Sequence, residues 1–323
     1  MIDVRRSMMA AINPNSLFLV IMPTEKCNFR CRYCYEDFAL GRMPPKVVSS
    51  IKKYISLRVG GGLKKLQVNW FGGEPLLARN IVEDISRHIT ATVGGTGCRY
   101  TGAMTTNGYL LTNEQAQRNY DLGIQSYQIT LDGPQDIHDQ TRVRKNGSGS
   151  FQQIWNNLIA ARNSSLPARY LIRLHVTARN MDSISEFAHL LRHTFGDDDR
   201  FSFFPKIVNA YGGEFFDPSS VPPRTDANAV LSEVQALLQK SKENNSEQPS
   251  ACRSCYASQP TSLVIRSDGR LNKCTVTLND PRNDVGRLLD DGTLSVEDSK
   301  MSYWLRGLAS GRADQLTCPA YSK

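Results

Sequence analysis

The sequence predicts an α/β fold built on a parallel sheet, and three observations carry that prediction. Short apolar runs alternate with helical stretches six times between residues 17 and 245, the pattern of tandem βα units. The first run, residues 16–22, is apolar on both faces, as a strand covered on both sides must be. Gly-rich and polar stretches follow the first four runs directly, at the carboxyl ends of strands, where parallel α/β proteins place ligand chemistry. In order, strand 16–22 precedes a helix over 45–59 that opens on a proline pair, which the first turn tolerates. Strand 66–70 leads into helix 81–89, and a strand ending over 102–106 into helix 113–122. Strand 126–131 precedes helix 151–162, strand 171–176 precedes helix 183–193, and strand 201–204 precedes a long helix over 227–242. An open doubly wound sheet and a full or partial barrel both accommodate six such units.

Residues 242–250 are polar and read as a linker. Beyond them the periodicity weakens. Residues 262–265 and 270–275, around Ser267-Asp268-Gly269, read as a β-hairpin. The chain therefore divides into a domain over 1–245 and a smaller one over 246–323. The second has little core of its own, and a unit that small calls for a metal or disulfides.

Composition excludes several classes. Of 323 residues, 40% are apolar and 22% charged, ordinary values for a globular enzyme. No run approaches the roughly 18 apolar residues of a membrane span. The N-terminus shows no secretion signal, so a cytoplasmic, membrane-free protein is expected. The formal charge of +8 raises nucleic acid as a partner, but no compact basic block with interleaved aromatics supports it. Lysine and arginine pairs such as Lys52-Lys53 and Lys64-Lys65 read as solvated faces. Eight cysteines, clustered at 27, 31 and 34 and again at 252, 255, 274 and 318, suggest metal ligands rather than disulfides. Cys98 stands alone and reads as a buried structural thiol.

The strongest motif is Cys27-Asn-Phe-Arg-Cys31-Arg-Tyr-Cys34. Three thiolates without a fourth Cys or His nearby suit an iron–sulfur cluster with one open iron better than a zinc site. Phe71-Gly72-Gly73-Glu74-Pro75 follows the second strand; glycines permit close backbone approach to a ligand, and Glu74 can accept a bond from an ammonium group. Thr105-Thr106-Asn107-Gly108 follows the third strand. Thr130-Leu131-Asp132-Gly133-Pro134, continuing into His138-Asp139-Gln140-Thr141-Arg142, follows the fourth. Together these stretches resemble the signature of the radical SAM superfamily, with Thr130 in place of the usual serine.

The resemblance implies a partial (β/α)6 TIM-like barrel with a [4Fe–4S] cluster on Cys27, Cys31 and Cys34. Its open iron binds S-adenosylmethionine (SAM), whose reductive cleavage gives a 5′-deoxyadenosyl radical. It further implies SAM contacts from Tyr33, Gly72, Gly73, Glu74, Pro75, Thr106, Asn107, Thr130, Asp132 and Arg142, and an external reductant of flavodoxin or ferredoxin type. The protein's part is positioning and water exclusion.

Cys252-Arg-Ser-Cys255, thirteen residues, Gly269, four residues and Cys274 resemble the opening of the SPASM or twitch module, which carries auxiliary iron–sulfur clusters. Cys318 resembles part of its second half, although Gln315 stands where a paired cysteine falls and residue 324 would be the next. The resemblance implies one auxiliary [4Fe–4S] cluster on Cys252, Cys255, Cys274 and Cys318; three ligands with an open iron, or structural zinc, stay open. With seven thiolates and two clusters, the holoprotein would carry roughly +5.

Enzymes with such modules imply a ribosomally made precursor peptide as substrate, an intramolecular crosslink as the expected reaction, and catalytic residues left unassigned. About 16 residues precede the first strand, so a leader peptide would need the barrel, the C-terminal module or a separate leader-binding protein. Thr275 stands where sulfatase-maturing relatives carry an aspartate base, which demotes formylglycine formation. Peptide epimerisation, a small-molecule radical SAM dehydrogenase and a non-catalytic iron–sulfur sensor or scaffold are the alternatives.

Overall fold

The computed structural model describes residues 8–9, 11–239 and 254–322. Its spine is a run of six parallel strands: β1 (Ser16–Ile21), β3 (Lys65–Trp70), β4 (Arg99–Thr106), β5 (Ile124–Leu131), β7 (Arg169–Val176) and β8 (Phe201–Ile207), side by side in that order. All six predicted strands are present, and the last runs three residues further than the sequence suggested. Two short segments, β2 (Phe29–Cys31) and β6 (Arg142–Arg144), form a separate antiparallel ribbon over the carboxyl ends of the spine.

The crossovers are α1 (Pro45–Gly60), α2 (Arg79–Val93), α3 (Asn113–Asp121), α4 (Gln135–Thr141), α5 (Phe151–Asn163), α6 (Ile184–Phe195) and α7 (Arg224–Leu238). All but α4, which the sequence reading did not include, lie close to the expected helices, and local signals start them. Pro45 occupies the first turn of α1, where its missing N–H costs nothing. The Thr112 hydroxyl accepts from the Gln115 amide and caps α3. The α1 residues Val48, Ile51, Ile55 and Val59 follow the helical period and are buried against the sheet. The expected end of α7 at residue 242, the linker over 242–250 and the proposed boundary at 245/246 lie outside the described residues.

The C-terminal segment adds β9 (Ser262–Ile265), β10 (Arg270–Asn272), β11 (Gly286–Leu288) and β12 (Leu294–Val296), then α8 (Asp298–Ser310) and α9 (Ala313–Thr317). The hairpin turn is as expected, with Gly269 at a φ of +85°. The expectation of a tail with little core of its own is answered differently. Strand β9 pairs in parallel with β1, Phe18 opposite Ser262, so one ten-stranded sheet runs through both parts. Leu263, Ile265, Leu271, Val285 and Trp304 join the same hydrophobic core as the helices and sheet of the larger part. Sequence periodicity missed β11 and β12 because three-residue strands show too few alternations to read, and it missed α8 and α9 as well.

Candidate active site

The loops after the parallel strands enclose a cleft of about 1070 Å³ of non-protein space, open at one side. Cys27, Cys31 and Cys34, from the loop after β1, line it together with Tyr33, Gly72, Gly73, Thr106, Asn107, Thr130 and Arg142. Residues from four strand ends and the ribbon thus meet in one place, as the motifs predicted.

The cysteine loop is held from several sides. The Phe29 amide donates to Cys27 Sγ at 3.3 Å, and the Cys34 amide to the Cys31 carbonyl at 3.0 Å. Asn107 Nδ2 donates to Asn28 Oδ1 at 2.8 Å. A side chain at Gly72, whose φ is +120°, would run into the Thr24 carbonyl, and one at Gly73 would meet the Lys26 carbonyl at 2.5 Å. The glycine pair therefore lets two loops touch, a role beside the expected ligand approach.

Three predicted residues lie behind the cleft wall rather than on it. Glu74 is fully buried: Oε1 accepts from the Leu76 amide at 3.0 Å and Thr106 Oγ1 at 2.8 Å, and Oε2 from the Asn107 amide at 2.8 Å. Burial raises its carboxyl above the usual range against the pull of those donors. Glu74 thus ties the strand-end loops after β3 and β4 together, with Pro75 buried beside it. Asp132, also fully buried, accepts from Tyr33 Oη at 2.7 and 2.9 Å and from Thr141 Oγ1 at 2.8 Å. Burial opposes its charge, but His175, with Nδ1 3.6 Å away, and Arg142 outweigh it and hold the carboxyl at about 2. Arg142 donates to Tyr33 Oη at 2.8 Å. Burial works against the guanidinium, yet Cys31, Tyr33 and Asp132 around it keep it charged.

The donor set suits a thiolate-bound cluster. Three thiols share one cleft, an amide already points at Cys27 sulfur, and the Arg142 charge offsets part of the burial that raises the Cys31 thiol. Among the described residues no three Cys, His, Asp or Glu side chains sit close enough to hold a single ion; iron–sulfide clusters span a wider ligand set than one ion does.

Reasoning from motifs missed the other half of the cleft. Arg173 and His175 of β7, Lys206 of β8, and Tyr35, Asn209 and Tyr211 line it as well. The signal was in the alternation of β7: Tyr170, Ile172, Leu174 and Val176 are buried while Arg173 and His175 take the other face. Lys206 escaped because the last strand was read as ending at 204. Burial drives His175 down to about 4, so it is neutral at pH 7.

Beyond Lys206 lie the C-terminal thiols. Burial, then Cys274 and Cys318, push the Cys255 thiol up to about 11 against the Ala257 amide bond. These three cysteines therefore stand near one another, as expected; Cys252 lies outside the described residues. Asn283 clamps the Cys274 loop, its Oδ1 accepting from the Lys273 and Cys274 amides at 2.9 Å. The Cys255 amide donates to the Leu316 carbonyl at 2.7 Å, which brings the Cys318 segment alongside. Val276, two residues after Cys274, lines the cleft, while Cys255, Cys274 and Cys318 themselves are not on its wall. Cys98 is buried in the core, away from both.

A mostly parallel α/β sheet with a three-thiol loop at its first strand end defines a class of iron–sulfur enzymes that cleave SAM. Residues 21–191 match the family model described as the Radical SAM superfamily, and the chain belongs to that superfamily. Membership implies a [4Fe–4S] cluster and SAM. Among curated proteins the chain is similar to GTP 3′,8-cyclase of Shewanella denitrificans, 26% identical over 201 residues, covering 62% of this chain and 56% of that protein. It is also similar to GTP 3′,8-cyclase of Campylobacter fetus, 34% identical over 118 residues, covering 36% of this chain and 34% of that protein. The chain spans between about a third and three-fifths of the length of these relatives. Among solved structures it is similar to native anSMEcpe with bound AdoMet, with a TM-score of 0.66 and 18% identity, covering 88% of this chain and 80% of that one; at that identity the likeness shows the fold. The expectation of a precursor-peptide crosslinking enzyme is corrected here, because the curated relatives are named for a reaction on a nucleotide. Among the described residues no helix is long and apolar enough to cross a membrane.

Proposed function

We propose that this protein is a radical SAM enzyme that removes a hydrogen atom from a small-molecule substrate held in the cleft. It rests first on the curated relatives, which carry the name of a small-molecule enzyme. The cleft supports it: Thr106, Asn107, Thr130, Arg173 and Lys206 give its wall the few convergent polar groups that suit a compact polar molecule. When bound, the cluster and SAM supply a 5′-deoxyadenosyl radical. Cys27, Cys31 and Cys34 would hold the cluster. Gly72, Gly73, Thr106, Asn107, Thr130 and Arg142 would orient SAM, with Glu74, Pro75 and Asp132 fixing them from behind, and Tyr33 linking Asp132 to Arg142. Cys252, Cys255, Cys274 and Cys318 would form an auxiliary iron–sulfur site behind the cleft, in a C-terminal module that shares the sheet. An external one-electron reductant is implied by the family.

The test uses reconstituted holoenzyme with SAM, dithionite and fractions from cells grown in deuterated medium. Deuterium should enter 5′-deoxyadenosine from the fraction below one kilodalton. Enrichment confined to the peptide and protein fraction would overturn the proposal.

A further inference from the structure

The far wall of the cleft carries two cations, and one of them, Arg173, has a buried nitrogen without a partner. Arg173 and His175 share one face of β7, and Lys206 of β8 stands opposite His175 in the strand register. All three line the cleft. The neighbouring arginines have partners: Arg142 is bonded to Tyr33, Arg266 to Glu25 and Arg200 to Asp198. Arg173 has none of that kind among the described residues. Its Nε is buried without a hydrogen-bond partner, and its guanidinium lies 5.8 Å from the Phe204 ring. Lys206 is close enough to feel the Arg173 charge and also lies within reach of the Cys318 and Cys255 thiols. Among the described residues Glu36 is the only carboxylate on the cleft wall, and it lies toward Glu25 and Arg266. The hydroxyl of Tyr211 and the amide of Asn209 add neutral polar groups beside the two cations.

A buried guanidinium with an unpartnered nitrogen beside a second cation is costly unless an anion arrives. SAM brings one carboxylate, and Arg142, at the thiol end, is placed to receive it. Arg173 and Lys206 lie on the last two strands of the spine, where a second molecule would sit. A guanidinium presents a planar fork and an ammonium a point charge, a pair suited to the several oxygens of one oxyanion group.

We propose that Arg173 and Lys206 clamp an oxyanion group of the substrate, which is therefore a small molecule bearing a carboxylate or a phosphate. This rests on the small-molecule reading of the site and names its substrate class. The clamp fixes one end of the molecule against β7 and β8, so that a carbon at the other end faces the thiol loop. His175, neutral between the cations, leaves the group uncrowded by a third charge.

Calorimetry on the holoenzyme saturated with SAM tests the clamp, with inorganic pyrophosphate and malonate as probes. At least one probe should bind the wild type. Arg173→Gln and Lys206→Gln should each weaken that binding about tenfold, the scale of one charge-assisted hydrogen bond. Lys64→Gln, at the opposite end of the sheet, should leave it unchanged. Preference for pyrophosphate assigns the group as phosphate, and preference for malonate as carboxylate. SAM affinity in both clamp variants should stay within about twofold of wild type. Absence of binding by both probes would overturn the proposal, as would equal binding by wild type and both variants. A loss of SAM affinity matching the loss of probe affinity would also overturn it, because the cations would then serve the SAM carboxylate. Binding is read without turnover. A failed clamp therefore leaves the small-molecule reading standing, while probe binding combined with hydrogen abstraction only from peptides sinks that reading and not the clamp.

Discussion

The two thiol groups, one lining the cleft and one behind it, are built differently. Cys27, Cys31 and Cys34 come from a single loop after β1, locked by backbone contacts to Gly72 and Gly73 and by the ribbon of β2 and β6. Cys255, Cys274 and Cys318 come from three separate segments, joined by the Asn283 clamp and the Cys255–Leu316 hydrogen bond. One loop can hold its ligands in place before a cluster arrives. Three segments depend on the packing between them, so the second group is the more easily disturbed. The two groups are also tied directly. Arg266, on the hairpin, donates through Nε to Glu25 Oε1 at 3.0 Å, two residues before Cys27, with both side chains buried.

That tie offers the largest test of the comparison. Arg266→Met leaves a buried carboxylate unpaired and should cost about 3–5 kcal/mol in urea unfolding, while the Glu25→Met/Arg266→Met double variant should recover much of the loss. Acid should then loosen the SAM end. His138 accepts from the Asp132 amide at 3.3 Å and is held neutral, with burial driving it down to about 4. The unfolded chain binds its proton near pH 6.5 and the folded chain near 4, so stability is full above 6.5 and falls across that window. Its share is about 3 kcal/mol, and His138→Gln should flatten the slope of the urea midpoint between pH 7 and 5.

A smaller effect is expected from Asp132→Asn, which removes the charge that orients Tyr33 and Arg142. SAM affinity should fall about tenfold by equilibrium dialysis, with the total iron content of the reconstituted protein unchanged. The smallest belongs to Cys98→Ala. It should cost about 1 kcal/mol and leave iron and sulfide stoichiometry as in the wild type, since Cys98 packs in the core.

What could be read from the sequence follows the same division. Ligands within eight residues, and motifs at consecutive strand ends, are local patterns, and the structure brings Cys27, Gly72, Asn107 and Arg142 to one cleft. Glu74 and Asp132 were legible as important but not as buried supports, because a motif does not say which way a carboxylate points. Arg173 and Lys206 were illegible as a pair. They lie 33 positions apart on neighbouring strands, where the pairing register sets Lys206 opposite His175, two residues along from Arg173. The β9–β10 hairpin was legible from its Gly269 turn, whereas β11 and β12 are three-residue strands held by pairing to β10 and to each other rather than by a periodicity of their own. The substrate class was misjudged because the C-terminal cysteine spacing was read as a statement about the reaction, whereas a module grafted on a fold does not determine chemistry.

The central claim is that SAM chemistry belongs to the thiol loop after β1 and not to the C-terminal thiols. Electron paramagnetic resonance of the dithionite-reduced, reconstituted protein with and without SAM tests it most directly. The Cys255→Ala/Cys274→Ala/Cys318→Ala variant should keep a cluster signal that shifts on SAM addition. The Cys27→Ala/Cys31→Ala/Cys34→Ala variant should lose that shift. A SAM-dependent shift that survives in the latter and vanishes in the former would contradict the account.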